Sequence, residues 1–263
     1  GQACGDLQAQ GRALNTLGFM VGFGDPAGGR PLLERSVELA TQAGDDWCRI
    51  DAAQCLIAVL GSQDDFDAAR PITEQAHADA TRLGYRWGLA WHGFFLGWEA
   101  AFRGQLQQAH EPLAQAVAAS DEVGDPVTNG MANSMIAYVD SMRGRTEQAH
   151  SLAGATLRRT LDTGAGFALG MANHMMGRTA LVLGELTAAR KYLQTAVAVE
   201  RIFAYLLSWH LSVLGTLERI EGNLDAARGH GEEALQVAQR IGSGWPDARV
   251  RAARGKVALR NCA

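Results

Sequence analysis

One spacing governs this chain. Gly24, Asp64, Gly104, Gly144, Gly184 and Gly222 follow one another at steps of 40, 40, 40, 40 and 38 residues. Five residues after each comes a small side chain, at Gly29, Ala69, Ala109, Ala149, Ala189 and Ala227. The next position is basic or histidine: Arg30, Arg70, His110, His150, Arg190 and Arg228. Twelve residues before the small column stand Leu17, Ile57, Gly97, Ala137, Gly177 and Gly215. Glycines at 44, 84, 124, 164 and 242 close the units, with Ala204 in that place once. A fixed period of this length is the mark of a repeat architecture, in which each unit buries its apolar face only against its neighbours.

Each column has a physical reading. The Gly24-type position lies between two amphipathic stretches, where a tight helix–helix turn calls for positive φ. The small columns let two antiparallel helices come close. The closing glycines suit the residue just past a helix end. Pro31, Pro71 and Pro112 are expected near the start of the second helix, where a missing N–H costs little. In the second unit, residues 47–62 read as a first helix (A) and 66–83 as a second (B), with Phe66, Ala69, Ile72 and Ala76 on one apolar face. No alternating β-branched run suggests a strand, and no linker or shift in composition divides the chain. The expected fold is an all-α, right-handed α-solenoid forming a single domain over 1–263. Its repeats span about 5–44, 45–84, 85–124, 125–164, 165–204 and 205–242, and a last helix covers 245–261. That last helix lacks its helix B; with a chain that begins without methionine, it favours a natural protein continuing past Ala263 over a capping helix.

Composition narrows the function. Hydrophobic residues make up 47% and the formal net charge is -4, as in an ordinary globular protein. Mild acidity with no strongly basic face gives no electrostatic reason for direct nucleic-acid contact. No apolar run is long enough to span a membrane, and no signal peptide is visible, so the expected location is the cytoplasm. Cys4, Cys48, Cys55 and Cys262 show no CxxC pairing and are expected to be reduced. No phosphate loop, nucleophile elbow or HExxH is present, and the histidines, including His110 and His150 in the basic column, have no ligand spacing. Neither catalysis nor a metal or other cofactor is expected. Of the 24 lysines and arginines, only Lys191 and Lys256 are lysine, a bias that points to a GC-rich genome.

The small residue at the eighth position of helix A, the alanine twelve residues later, and Ala76, Ala116, Ala196 and Ala234 resemble the tetratricopeptide pattern. "GELTAARKYLQTAVAV" and "GNLDAARGHGEEALQVA" look like its helix B. The unit is about six residues longer than the usual 34, and glycine replaces the proline that often ends it. Long-unit, Ala- and Arg-rich arrays of this kind resemble the sensor region of MalT-like, LuxR-type ATP-dependent (STAND) transcriptional regulators of actinobacteria. The resemblance implies a ligand- or partner-sensing module beside an NTPase and a DNA-binding helix-turn-helix. The alternative is a stand-alone scaffold for proteins or peptides.

In tetratricopeptide-like arrays helix A lines the concave groove. Its stripes at i, i+4, i+7 and i+11 begin with a column at Leu7, Trp47, Trp87, Val127, Phe167, Tyr205 and Trp245, whose presence in every unit suits packing against a neighbouring helix B. The later columns vary between units, as a recognition surface would. Trp91, Phe94, Trp98, Tyr138, His174, Arg178 and Trp209 are therefore the groove candidates. Aromatic walls with one cation suit a peptide or protein, or an anionic or aromatic small-molecule effector.

Overall fold

The computed structural model describes residues 5–201 and 206–242. Within them lie twelve α-helices and no strand: α1 (Leu7–Gly24), α2 (Pro26–Ala43), α3 (Asp46–Ser62), α4 (Phe66–Leu83), α5 (Arg86–Phe102), α6 (Leu106–Val123), α7 (Pro126–Met142), α8 (Thr146–Thr163), α9 (Gly166–Val182), α10 (Leu186–Glu200), α11 (Leu207–Ile220) and α12 (Leu224–Ile241). Odd-numbered helices are the expected helix A and even-numbered ones helix B. The predicted segment 66–83 coincides with α4, and 47–62 with all but the first residue of α3. Ala204, Tyr205, Trp245 and the expected helix over 245–261 lie outside the described residues, as do Cys4 and Cys262.

The hairpins fall into two compact units, Gly1–Asn129 and Gly130–Ala263. The first has a core of Leu33, Leu56, Val59, Leu60 and Ala69. The second is built on Leu193, Leu207, Leu211, Leu214, Leu217 and Ala234, with Ala180 and Ala189 between them.

Helix ends follow from the turn residues. Gly44, Gly84, Gly124, Gly164 and Gly242 all cap a helix B in the left-handed conformation. After α2, for example, the Gly44 N–H donates to Thr41 O (3.2 Å) and the Asp45 N–H to Ala40 O (2.9 Å), so carbonyls left over by the helix are satisfied. Asp6, Asp25, Asp45 and Asp65 then accept backbone N–H bonds at the start of α1, α2, α3 and α4.

Between helix A and helix B, Gly104, Gly144, Gly184 and Gly222 hold φ of 77–86°, and Asp64 holds 61°. Gly24 departs from the expectation. It is the last residue of α1, with no left-handed turn, and Asp25 alone separates α1 from α2. The longer α1 is consequently one residue out of phase. Leu17, expected in the small column, is 51% exposed, and Gly18 takes the buried place. A Cβ on Gly18 would stand 2.7 Å from Leu33 Cγ, just as one on Gly177 would stand 2.6 Å from Leu193 Cγ. The prolines also differ from expectation. Pro31, Pro71 and Pro112 lie inside α2, α4 and α6, beyond the four free amides, while Pro26 holds the first-turn place in α2.

Successive hairpins are tied by the basic column, which reaches forward. Arg30 bonds Asp65 (2.9 Å) and Arg70 bonds Glu99 (2.9 Å) in the first unit. In the second, His150 Nδ1 lies 2.8 Å from Thr179 Oγ1, and Arg190 grips both carboxylate oxygens of Glu218. These are structural ties between one helix B and the next hairpin.

Candidate functional site

The seven groove candidates form two clusters, one in each unit. In the first unit Trp91, Phe94 and Trp98 share one face of α5. Trp91 stacks on Phe95 with ring centroids 5.8 Å apart, and Phe94 lies 5.6 Å from Trp98. Trp98 meets Phe66 of the preceding hairpin edge-on at 6.2 Å. A Cβ on Gly61 would stand 3.3 Å from its indole. Phe94 and Trp98 are buried between hairpins, and Trp91 is half-buried. The first column behaves as architecture on α3 and α5. Trp47 packs edge-on against Tyr85 at 4.6 Å, and Trp87 donates its indole N–H to Asp125 at 2.9 Å.

In the second unit Tyr138 of α7, His174 and Arg178 of α9 and Trp209 of α11 come into one contact set. The Arg178 guanidinium carbon lies 5.0 Å from the centre of the Tyr138 ring, the geometry of a cation–π pair, and its Nη2 donates to Met142 Sδ at 2.9 Å. Tyr138 meets Trp209 edge-on at 5.7 Å. Trp209 in turn lies against the His174 imidazole at 3.8 Å. Tyr138, His174 and Trp209 are buried, and Arg178 is the half-exposed member through which the cluster meets solvent.

Two further residues belong to this cluster. His210 Nδ1 lies 3.0 Å from His174 Nδ1, and both imidazoles are fully buried. One ring nitrogen donates and the other accepts, so one proton lies between the two rings across the contact. Glu200, at the end of α10, places Oε1 3.9 Å from His210 Nε2 and accepts the Leu206 N–H at 3.3 Å. The absence of a side chain at Gly170 makes room for it, since a Cβ there would stand 2.5 Å from Glu200 Oε1.

A sign of His210 was present in the sequence. Trp91-His92 and Trp209-His210 occupy the same register of helix A, four residues past Trp87 and Tyr205. Glu200 had no such sign, because a carboxylate near the end of a helix B reads as solvated. His92 is the first unit's counterpart of His210. It is fully buried and its ring lies 6.5 Å from that of His77. Burial, with a smaller push from His77, lowers its pKa to about 3, so it is neutral. Burial likewise pushes the Cys55 thiol up to about 12. Among the described residues, no group of three His, Cys, Asp or Glu side chains is placed to hold a metal ion. No described helix is long and apolar enough to cross a membrane.

Paired helices, left-handed glycine turns and small residues at the crossings define an all-helical, tetratricopeptide-like hairpin repeat. No family model matches the chain, and no curated protein does. Among solved structures, it is similar to a Rap protein complexed with competence and sporulation factor, with TM-score 0.63 and 13% identity over 81% of this chain and 61% of that one. It is also similar to a signal transduction ATPase with numerous domains (STAND) carrying a tetratricopeptide repeat sensor, from Pyrococcus horikoshii. There the TM-score is 0.54 and the identity 13%, over 86% of this chain and 39% of that one. BtubC from P. vanneervenii matches with TM-score 0.54 and 17% identity, over 80% of this chain and 89% of that one. At these identities the likeness is one of fold.

Proposed function

We propose that this chain is a non-catalytic binding module, the sensing repeat region of a larger transcriptional regulator of the LuxR-type STAND kind. One observation carries the reading. The variable positions of helix A bring an arginine, two histidines, a tyrosine and a tryptophan together in the second unit, with Arg178 at the solvent boundary. A ligand carrying a carboxylate or an aromatic ring would compete for Arg178 and the faces around it, whether on a peptide or a small effector. Its binding energy would then be coupled to how α7, α9 and α11 pack. Two similar structures support the class: one is a Rap protein complexed with competence and sporulation factor, the other a STAND ATPase with a tetratricopeptide repeat sensor.

The test has two arms. Sequencing the gene beyond both ends should reveal a nucleotide-binding loop upstream and a helix-turn-helix downstream; stop codons on both sides would reject the regulator. A thermal-shift screen of peptides and anionic small molecules should yield a ligand whose effect disappears in Arg178→Ala and Trp209→Ala chains that still fold. Hits indifferent to both substitutions would move the site elsewhere. A stand-alone scaffold is the second reading, favoured by the match to BtubC, 89% of which is covered.

A further inference from the structure

At one register of the repeat the chain gives up a helix cap for an aromatic ring. Asp45 and Asp125 accept backbone N–H bonds at the start of α3 and α7. Tyr85 stands between them at steps of 40 residues and leaves α5 with no side-chain cap. A local rule broken in this way marks a place where another demand prevails. Gly88 makes room for the ring, since a Cβ there would stand 2.8 Å from Tyr85 Cδ1.

Tyr85 joins a row of rings within the first unit. Trp47 of α3 lies 4.6 Å from it with 72° between the planes, and Trp87 lies 6.0 Å from it at 48°. At those angles the rings do not stack, so their faces are not spent on one another. Trp47 is 51% exposed, and Tyr85 and Trp87 are half-buried.

One carboxylate belongs to the row. Asp51, one turn along α3 from Trp47, accepts the Tyr85 hydroxyl at 3.1 Å. Asp45, Asp46 and Asp79 of the same unit are bound by Arg12, Arg49 and Arg82. Asp51 is half-buried and has no such cation among the described residues. Burial raises its pKa, and the Tyr85 hydrogen bond opposes this only in part.

These features select one kind of cation. The faces of aromatic rings attract positive charge within about 6 Å of the ring centre. A plain ammonium is strongly hydrated and needs hydrogen-bond acceptors. A quaternary ammonium has no N–H to satisfy and lays its methyl groups on the rings, with Asp51 as the countercharge. We propose that Trp47, Tyr85, Trp87 and Asp51 bind a quaternary ammonium group, carried by a free molecule such as choline or by a trimethylated lysine. This site differs from the Arg178 cluster in unit and in the charge it takes.

Nuclear magnetic resonance of the indole N–H of Trp87 tests this. Choline, titrated at ionic strength held constant with sodium chloride, should shift that signal saturably with a Kd of about 1 mM. The neutral isostere of choline, with a tert-butyl group in place of trimethylammonium, should bind about tenfold more weakly. Trp47→Ala, at an exposed residue, and Asp51→Asn should each weaken choline about fivefold or more, with helix content unchanged. A trimethyllysine peptide that binds more tightly than choline, and more tightly than its unmodified form, assigns the group to a protein side chain; the reverse order assigns it to a free molecule. Absence of a saturable shift with either ligand overturns the proposal. So does equal affinity for the neutral isostere, or binding undiminished in both variants.

Discussion

At Gly97 and Gly177 the missing side chain decides how near two helices come. A Cβ there would stand 3.0 Å from the Ala109 carbonyl and 3.1 Å from the Ala189 carbonyl, and would overlap the Leu113 and Leu193 side chains. Ala149 belongs to the facing small column, with Ala109 and Ala189, and is fully buried. Ala149→Glu would force an unpaired carboxylate between helices, so it should destabilise the second unit by several kcal/mol. Calorimetry checks this, and a melting curve like that of the wild type would contradict the placement of that column. His92 carries a pH dependence. Its folded pKa, about 3, lies below the roughly 6.5 of an exposed histidine. The unfolded chain therefore binds more protons between these values. The stability His92 contributes is complete above about pH 6.5 and is lost as pH falls toward 3. From pH 7.5 to pH 5 that loss is about 2 kcal/mol. Urea titrations at both pH values should show it in the wild type, and His92→Ala should lack it.

At the scale of a helix, the turns separate backbone demands from packing demands. Gly184 holds φ of 80° with open space around a would-be Cβ, whereas Gly24 ends α1 without positive φ. Gly184→Ala should therefore cost about 1 kcal/mol through the backbone alone. Gly24→Ala should be neutral or slightly stabilising, because it removes freedom only from the unfolded chain. Equal effects in denaturant titrations would refute the distinction. The prolines carry a related lesson. Pro31, Pro71 and Pro112 sit where an interior helical hydrogen bond is given up. The expected helix B over 66–83 already set Pro71 at its sixth residue, past the four amides that lack a helical acceptor.

Across the molecule, stability against acid rests on carboxylates held by arginines within and between hairpins. Arg49, aided by Gln75 and Arg82, holds Asp79 far below the usual carboxylate range against the opposing effect of burial. Arg190 likewise lowers Glu218, across the step from α10 to α11. Both contributions are present above the unfolded carboxylate pKa of about 4 and are lost as pH falls through the depressed folded values. Asp79→Asn with Glu218→Gln should flatten the acid limb of stability against pH. The same double variant should cost about 2–4 kcal/mol at neutral pH. An unchanged acid limb in circular dichroism would show that other groups govern it.

The sequence by itself determined the hairpins, their order and most of their boundaries. Those depend on local demands that leave a periodic trace: an apolar stripe, a small residue at each crossing, a glycine where φ turns positive. It also singled out Tyr138, His174, Arg178 and Trp209. Which candidates actually meet was decided by tertiary packing, since contact between α7, α9 and α11 depends on distances no single helix encodes. That packing added His210 and Glu200 to the cluster and buried Phe94 and Trp98 between hairpins. It also shifted α1 by one residue, which put Gly18 in the buried place and left Leu17 exposed.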